Sequence, residues 1–88
     1  MYQYFTEFLG TLIFTYVILA TGNPLAIGAT FALIKLLTQN LTAGYMNPAI
    51  TIVLASMGAI PSNQILFYCL VQVFGALVAL EIYKKYKL

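Results

Sequence analysis

Apolar residues run from Tyr4 to Thr21 with only Thr6, Glu7, Thr11 and Thr15 as polar interruptions. A run of that length predicts a first helix able to cross a bilayer, which takes about twenty residues. Gly22-Asn23-Pro24 breaks it, and Pro24 suits the first position of a second helix that reaches Gln39 or Asn40. So short a turn makes the two helices antiparallel neighbours. Ala26, Gly28, Ala29 and Ala32 give the second helix small residues that a neighbouring backbone can approach closely. A further helix-start signal follows at Asn47-Pro48, an N-cap residue before a proline whose missing N–H is no loss there. That helix is stopped near Met57 by Gly58 and Pro61. Its ten or so residues, at about 1.5 Å each, reach only about half way through the hydrocarbon. Irregular backbone cannot face acyl chains, so a half-helix predicts surrounding protein or a water-filled cavity. After the turn Gly58 to Asn63, with Ser62 or Asn63 as cap, a last spanning helix runs from about Gln64 to Tyr83. It carries one strongly polar residue, Gln72, near its middle, and a Gly75/Ala79 pair for close packing. The pattern is span, span, half-span, span: a single all-α membrane domain over residues 1–88, with three transmembrane helices, one re-entrant segment over Asn40 to about Met57 that holds the half-helix, and no internal repeat.

Composition narrows the chemistry. Of the 88 residues 62% are hydrophobic and 7% charged, which fits a multi-pass integral membrane protein and not a soluble domain. Two carboxylates, no histidine and a lone Cys69 leave no basis for an enzyme, a metal site or a disulfide framework, and no cofactor is implied. The first seven residues have an acid and no base, unlike the basic start of a secretory signal. The net charge of +2 comes mainly from Lys84, Lys85 and Lys87, a cluster suited to lipid headgroups and too small for nucleic acid. Glu81 precedes Lys84 and Lys85 by three and four residues, a favourable order for exposed pairs. Lys35, set in an apolar helix, has two readings: a snorkelling side chain reaching the near interface, or a residue lining a pore.

Three blocks taken in order, Glu7-Phe-Leu-Gly-Thr11, Gly44-Tyr-Met-Asn47-Pro-Ala-Ile-Thr51 and Tyr68-Cys-Leu-Val-Gln72-Val-Phe-Gly75-Ala76, resemble the major intrinsic protein family of aquaporins and glycerol facilitators. They are similar to the first of that family's two inverted repeats, and the resemblance covers nearly the whole chain. It implies that Asn47, Pro48 and Ala49 form the first Asn-Pro-Ala turn at the pore centre, Asn47 donating hydrogen bonds to a passing oxygen. The carbonyls of Ala43, Gly44 and Tyr45 become an acceptor ladder, Glu7 accepts bonds from the re-entrant loop, and Gln72 supports the same loop. A half-helix start carries partial positive charge, which disfavours cations.

The departures from that family matter too. Tyr45 stands where the family usually has histidine, and Gly22 marks a turn where it has a longer connection. Ile27, twenty residues before Asn47, replaces a common aromatic selectivity residue and argues against a narrow, water-only constriction. The arginine that follows the family's second Asn-Pro-Ala is absent. One repeat cannot enclose a pore. The resemblance therefore implies a partner: a homo-oligomer, in particular an antiparallel pair, or a complementary half-repeat. Lys35 and the terminal lysines pull in opposite directions under the positive-inside rule, so inverted or dual topology stays open. The expected function is passive transport of water or small uncharged solutes. The alternatives are a non-conducting structural or assembly protein of a cellular or viral membrane, and a fragment of a longer channel.

Overall fold

The computed structural model describes residues 2–39 and 45–86. Four α-helices account for most of them: α1 (Tyr2–Thr21), α2 (Pro24–Thr38), α3 (Pro48–Ser56) and α4 (Ile65–Lys85), with a 3-10 turn at Ser62–Gln64 before the last. No strand occurs among the described residues.

Local chemistry sets most of the boundaries. Gly22 stops α1 in the left-handed region, at φ +57°. Its N–H closes the helix on the Ile18 carbonyl at 3.1 Å. Only glycine adopts that conformation without steric cost. Asn23 then opens α2, its Oδ1 accepting from the N–H groups of Leu25 at 2.9 Å and Ala26 at 3.1 Å. Two of the helix's orphan donors are thereby satisfied. Helix α2 has 15 residues. At about 1.5 Å per residue it falls short of the roughly twenty that a full span takes. Helices α1 and α4 are both long and apolar enough to cross a membrane, with mean hydropathies of 1.4 and 2.2 over their best windows.

Helix α3 has nine residues and ends at the Met57 cap, followed by Gly58 at φ +83°. The start of α4 departs from the sequence expectation. Neither Ser62 nor Asn63 makes a side-chain cap. The Pro61 carbonyl instead accepts the Gln64 N–H at 3.0 Å, so the backbone itself closes the 3-10 turn.

Packing centres on α1 against α4. A Cβ built on Gly75 would sit 2.6 Å from the Phe8 carbonyl oxygen, so only glycine allows the two backbones this close. Aromatic pairs follow the same seam: Tyr4 with Tyr68 at 5.0 Å, Phe8 with Phe74 at 5.6 Å and Tyr16 with Tyr83 at 6.3 Å between centroids. Helix α2 behaves differently from its small-residue pattern. Nothing lies within 4 Å of a Cβ at Gly28, and Ala29 and Ala32 are exposed, so that stripe packs against no part of the described chain. Ile34 is its buried residue and meets Gly10 of α1.

Burial is inverted relative to a soluble domain. The largest fully buried side chains are Gln72, Glu7 and Thr51, whereas Leu25, Leu36, Leu37, Phe67 and Phe74 are exposed. Water as the surrounding solvent would penalise that outer surface, while hydrocarbon is matched to it.

Candidate functional site

The site begins with a carboxylate that water cannot reach. Glu7 on α1 is 1% exposed. Burying such a group is costly unless its oxygens find donors. Oε2 accepts the Tyr45 N–H at 3.0 Å and Oε1 the Met46 N–H at 2.8 Å. Gln72 of α4 adds its Nε2 to Oε1 at 3.1 Å. The same Nε2 lies 2.8 Å from the Thr51 hydroxyl on α3. That hydroxyl has one proton and two acceptors at 3.0 Å, the Asn47 carbonyl and Gln72 Oε1. Glu7, Gln72 and Thr51 thus tie α1, α4 and α3 to residues 45–47. The bonds of Glu7 to Met46 and of Gln72 to Glu7 and Thr51 are buried, which strengthens them and makes a missing partner expensive.

The network fixes an unusual backbone. Met46 has φ +54°, a conformation that non-glycine residues rarely adopt. The Met46 N–H bond to Glu7 and the burial of its side chain beside Gly10 hold it there. The chain then turns into Asn47 at φ −154° and ψ 125°, extended as an N-cap should be. Asn47 Oδ1 accepts the Ala49 N–H at 2.8 Å, and Pro48 occupies the first helical position. With Oδ1 engaged in the cap, the Nδ2 group of the exposed Asn47 remains as a donor at the positive end of α3.

Two crevices meet at this residue. One, of about 350 Å³, lies against α2 and is lined by Ile27, Phe31, Tyr45, Asn47 and Ile50, with Phe14 on α1. The other, of about 310 Å³, lies between α1 and α4 and is bordered by Thr11, Asn47, Pro48, Gln72 and Ala76. Both have mainly apolar walls with few polar groups, the make-up common to small-molecule sites. Thr11 is 4% exposed, and its hydroxyl oxygen has no hydrogen-bond partner among the described residues.

Of the residues singled out in the sequence, Ile27, Tyr45 and Asn47 share the first crevice, and Pro48 borders the second. Ala49 is exposed one residue into α3. Glu7 and Gln72 lie behind the Asn47 turn, and Ala43 and Gly44 fall outside the described residues. Sequence reasoning did not pick out Thr51, Met46, Phe14 or Phe31. Thr51 had a usable signal, since it follows Asn47 by four residues and so shares its helix face. Met46 had none, because a positive φ leaves no trace in residue type when tertiary bonds enforce it.

Comparison with known proteins gives a consistent picture. A family model described as Major intrinsic protein matches residues 21–87. The chain is 32% identical, over 93% of its own length, to a protein of Bradyrhizobium diazoefficiens named Aquaporin Z, and covers 40% of that protein. It is also 32% identical, over 90% of its length, to a Lactiplantibacillus plantarum protein named Glycerol uptake facilitator protein-like 6, covering 41% of it. The chain therefore spans about two fifths of the length of these curated relatives. No solved structure matches it significantly.

Proposed function

Because the chain belongs to the major intrinsic protein family, we propose that it supplies one wall of a passive membrane conduit for water or small uncharged solutes such as glycerol. In this reading residues 1–88 form one half-repeat, with α1, α2 and α4 crossing the membrane and α3 entering part way. The observation that carries it is the Asn47 turn. A short helix starts at a polar residue bordering two crevices, and a three-residue polar network in an otherwise apolar interior holds that start in place. A network of this cost suits a wall whose loop must keep its shape without facing lipid.

The chemistry assigned to each group follows from its atoms. Asn47 Nδ2 donates to a water or hydroxyl oxygen passing the start of α3. Carbonyls of Ala43, Gly44 and Tyr45 accept the solute's hydroxyl protons, so hydration bonds are exchanged for bonds to the wall. The partial positive charge at the α3 start disfavours cations at the same level. Ile27, an aliphatic on the α2 side of the crevice, leaves room for a solute larger than water. Glu7 acts through the loop it holds, and Gln72 supports the same loop from the border of the second crevice.

The opposite wall comes from a complementary half-repeat or from a second copy inserted the other way up. The relatives' greater length favours a wall of the first kind. Osmotic swelling of proteoliposomes tests the reading. Vesicles carrying a verified oligomer should admit water or glycerol faster than protein-free vesicles. A rate equal to that of protein-free vesicles contradicts conduction and leaves a structural membrane protein.

A further inference from the structure

Lys35 is the one lysine among the described residues that lies away from the end of α4. Its ammonium stands 5.5 Å from the centroid of the Phe31 ring, in cation–π range. The contact lays the side chain along α2 over the preceding turn, the direction in which helical side chains lean. Residues 27, 31 and 35 recur every four positions and so share one face of α2. Ile27 and Phe31 of that face line the same crevice as Asn47. The Phe31 ring is itself braced against Phe14, at 5.2 Å between centroids. The ammonium thus stands beside Phe31 at the end of the crevice wall toward the C-terminus of α2.

Among the described residues no side-chain carboxylate pairs with it. The chain has two acidic residues. Glu7 is engaged by the Tyr45 and Met46 amides and by Gln72, and Glu81 pairs with Lys84 at 3.3 Å. An unpaired charge beside a low-dielectric wall projects a field that bulk water would otherwise screen. We propose that Lys35 sets the charge selectivity of this wall: its ammonium, held over Phe31, turns cations away at the mouth of the crevice and takes a small monoanion, such as a short carboxylate, as its ligand. The assignment rests on the conduit proposed above. It adds to the dipole of α3 a full charge at a different level of the passage.

The test compares sodium and glycerol permeability in proteoliposomes of the wild type, Lys35→Met, Lys35→Arg and, as a control lysine, Lys84→Met. The sodium-to-glycerol ratio should rise about tenfold in Lys35→Met, the effect of losing roughly 1.4 kcal/mol of repulsion. Lys35→Arg should restore the low ratio, and Lys84→Met should match the wild type. An unchanged ratio in Lys35→Met while glycerol still passes overturns the charge role alone. A wild type that passes no glycerol overturns the conduit on which it rests. A second measurement needs no transport. In micelles with isotope-labelled dimethyl-lysines, the Lys35 resonance should carry a ring-current shift that Phe31→Leu removes, and sodium acetate should move it more than that of Lys84. No ring-current shift, or equal acetate responses from both lysines, contradicts the placement or the anion site respectively.

Discussion

Glu7 shows how much a single buried group can organise. Its two oxygens satisfy the Tyr45 and Met46 amides, and Gln72 links the same carboxyl to Thr51 on α3. In Glu7→Ala those amides are left without acceptors. Each such group costs about 1–3 kcal/mol, so the loss should be roughly 3 kcal/mol, seen as a lower midpoint in thermal unfolding in detergent. Glu7→Gln keeps one acceptor oxygen and should lose less. Equal stability of the wild type and Glu7→Ala would remove the network from the account. The residue types involved were readable beforehand: an acid within an apolar helix and a glutamine in the middle of another both need partners. The partners themselves were not readable in full. Thr51 looks like any β-branched residue in a short apolar helix, and the left-handed backbone of Met46 exists only because other elements hold it there.

Element boundaries follow the local code where that code is strong. Both Asn-Pro pairs start helices, at Asn23 and Asn47, because a side-chain acceptor and a preset φ act within three residues and need no tertiary help. Where closure depends on backbone geometry, the code is weaker. At Pro61 a 3-10 turn closes on a carbonyl, and the Ser62 and Asn63 side chains stay out of the cap. Small residues are also ambiguous between stripes. Gly75 lies at a close crossing of α1 and α4, whereas a Cβ on Gly28 meets nothing within 4 Å, and nothing local separates the two. Gly75→Leu should force α1 and α4 apart against the Phe8 carbonyl and cost about 1–3 kcal/mol, measurable as a fall in thermal midpoint. Gly28→Leu, whose Cβ meets nothing within 4 Å, serves as the comparison. If both variants unfold alike, the Gly75 crossing does not limit stability.

For the whole molecule, the inverted burial is the main result. The largest fully buried side chains are polar and many large apolar ones lie outside, so the helices are arranged for a solvent that is itself apolar. That much was legible in the density of apolar residues. The extent of α2 was legible too: expected from Pro24 to Gln39 or Asn40, it runs from Pro24 to Thr38. In the proposed reading the opposite wall is not legible in this chain, because the groups that would face Asn47 belong to another half. Where a second copy supplies that wall, two copies in opposite orientation bring their position-47 side chains together. Asn47→Cys in a Cys69→Ser background should then oxidise to a dimer on a non-reducing gel. A monomer under the same conditions points to a complementary half in place of a second copy.

Asn47 separates the structural role of the turn from its role toward solute. Asp caps helices about as well as Asn, so Asn47→Asp keeps the oxygen that receives the Ala49 N–H and removes the amide that would face the solute. The decisive measurement is the osmotic swelling rate of proteoliposomes bearing the wild type or Asn47→Asp, at matched protein density and with matched thermal midpoints. The account predicts water or glycerol permeability well above that of protein-free vesicles for the wild type, falling about tenfold in Asn47→Asp for the loss of a donor worth roughly 1.4 kcal/mol. Equal permeability in the two proteins, or none above protein-free vesicles in either, would contradict it.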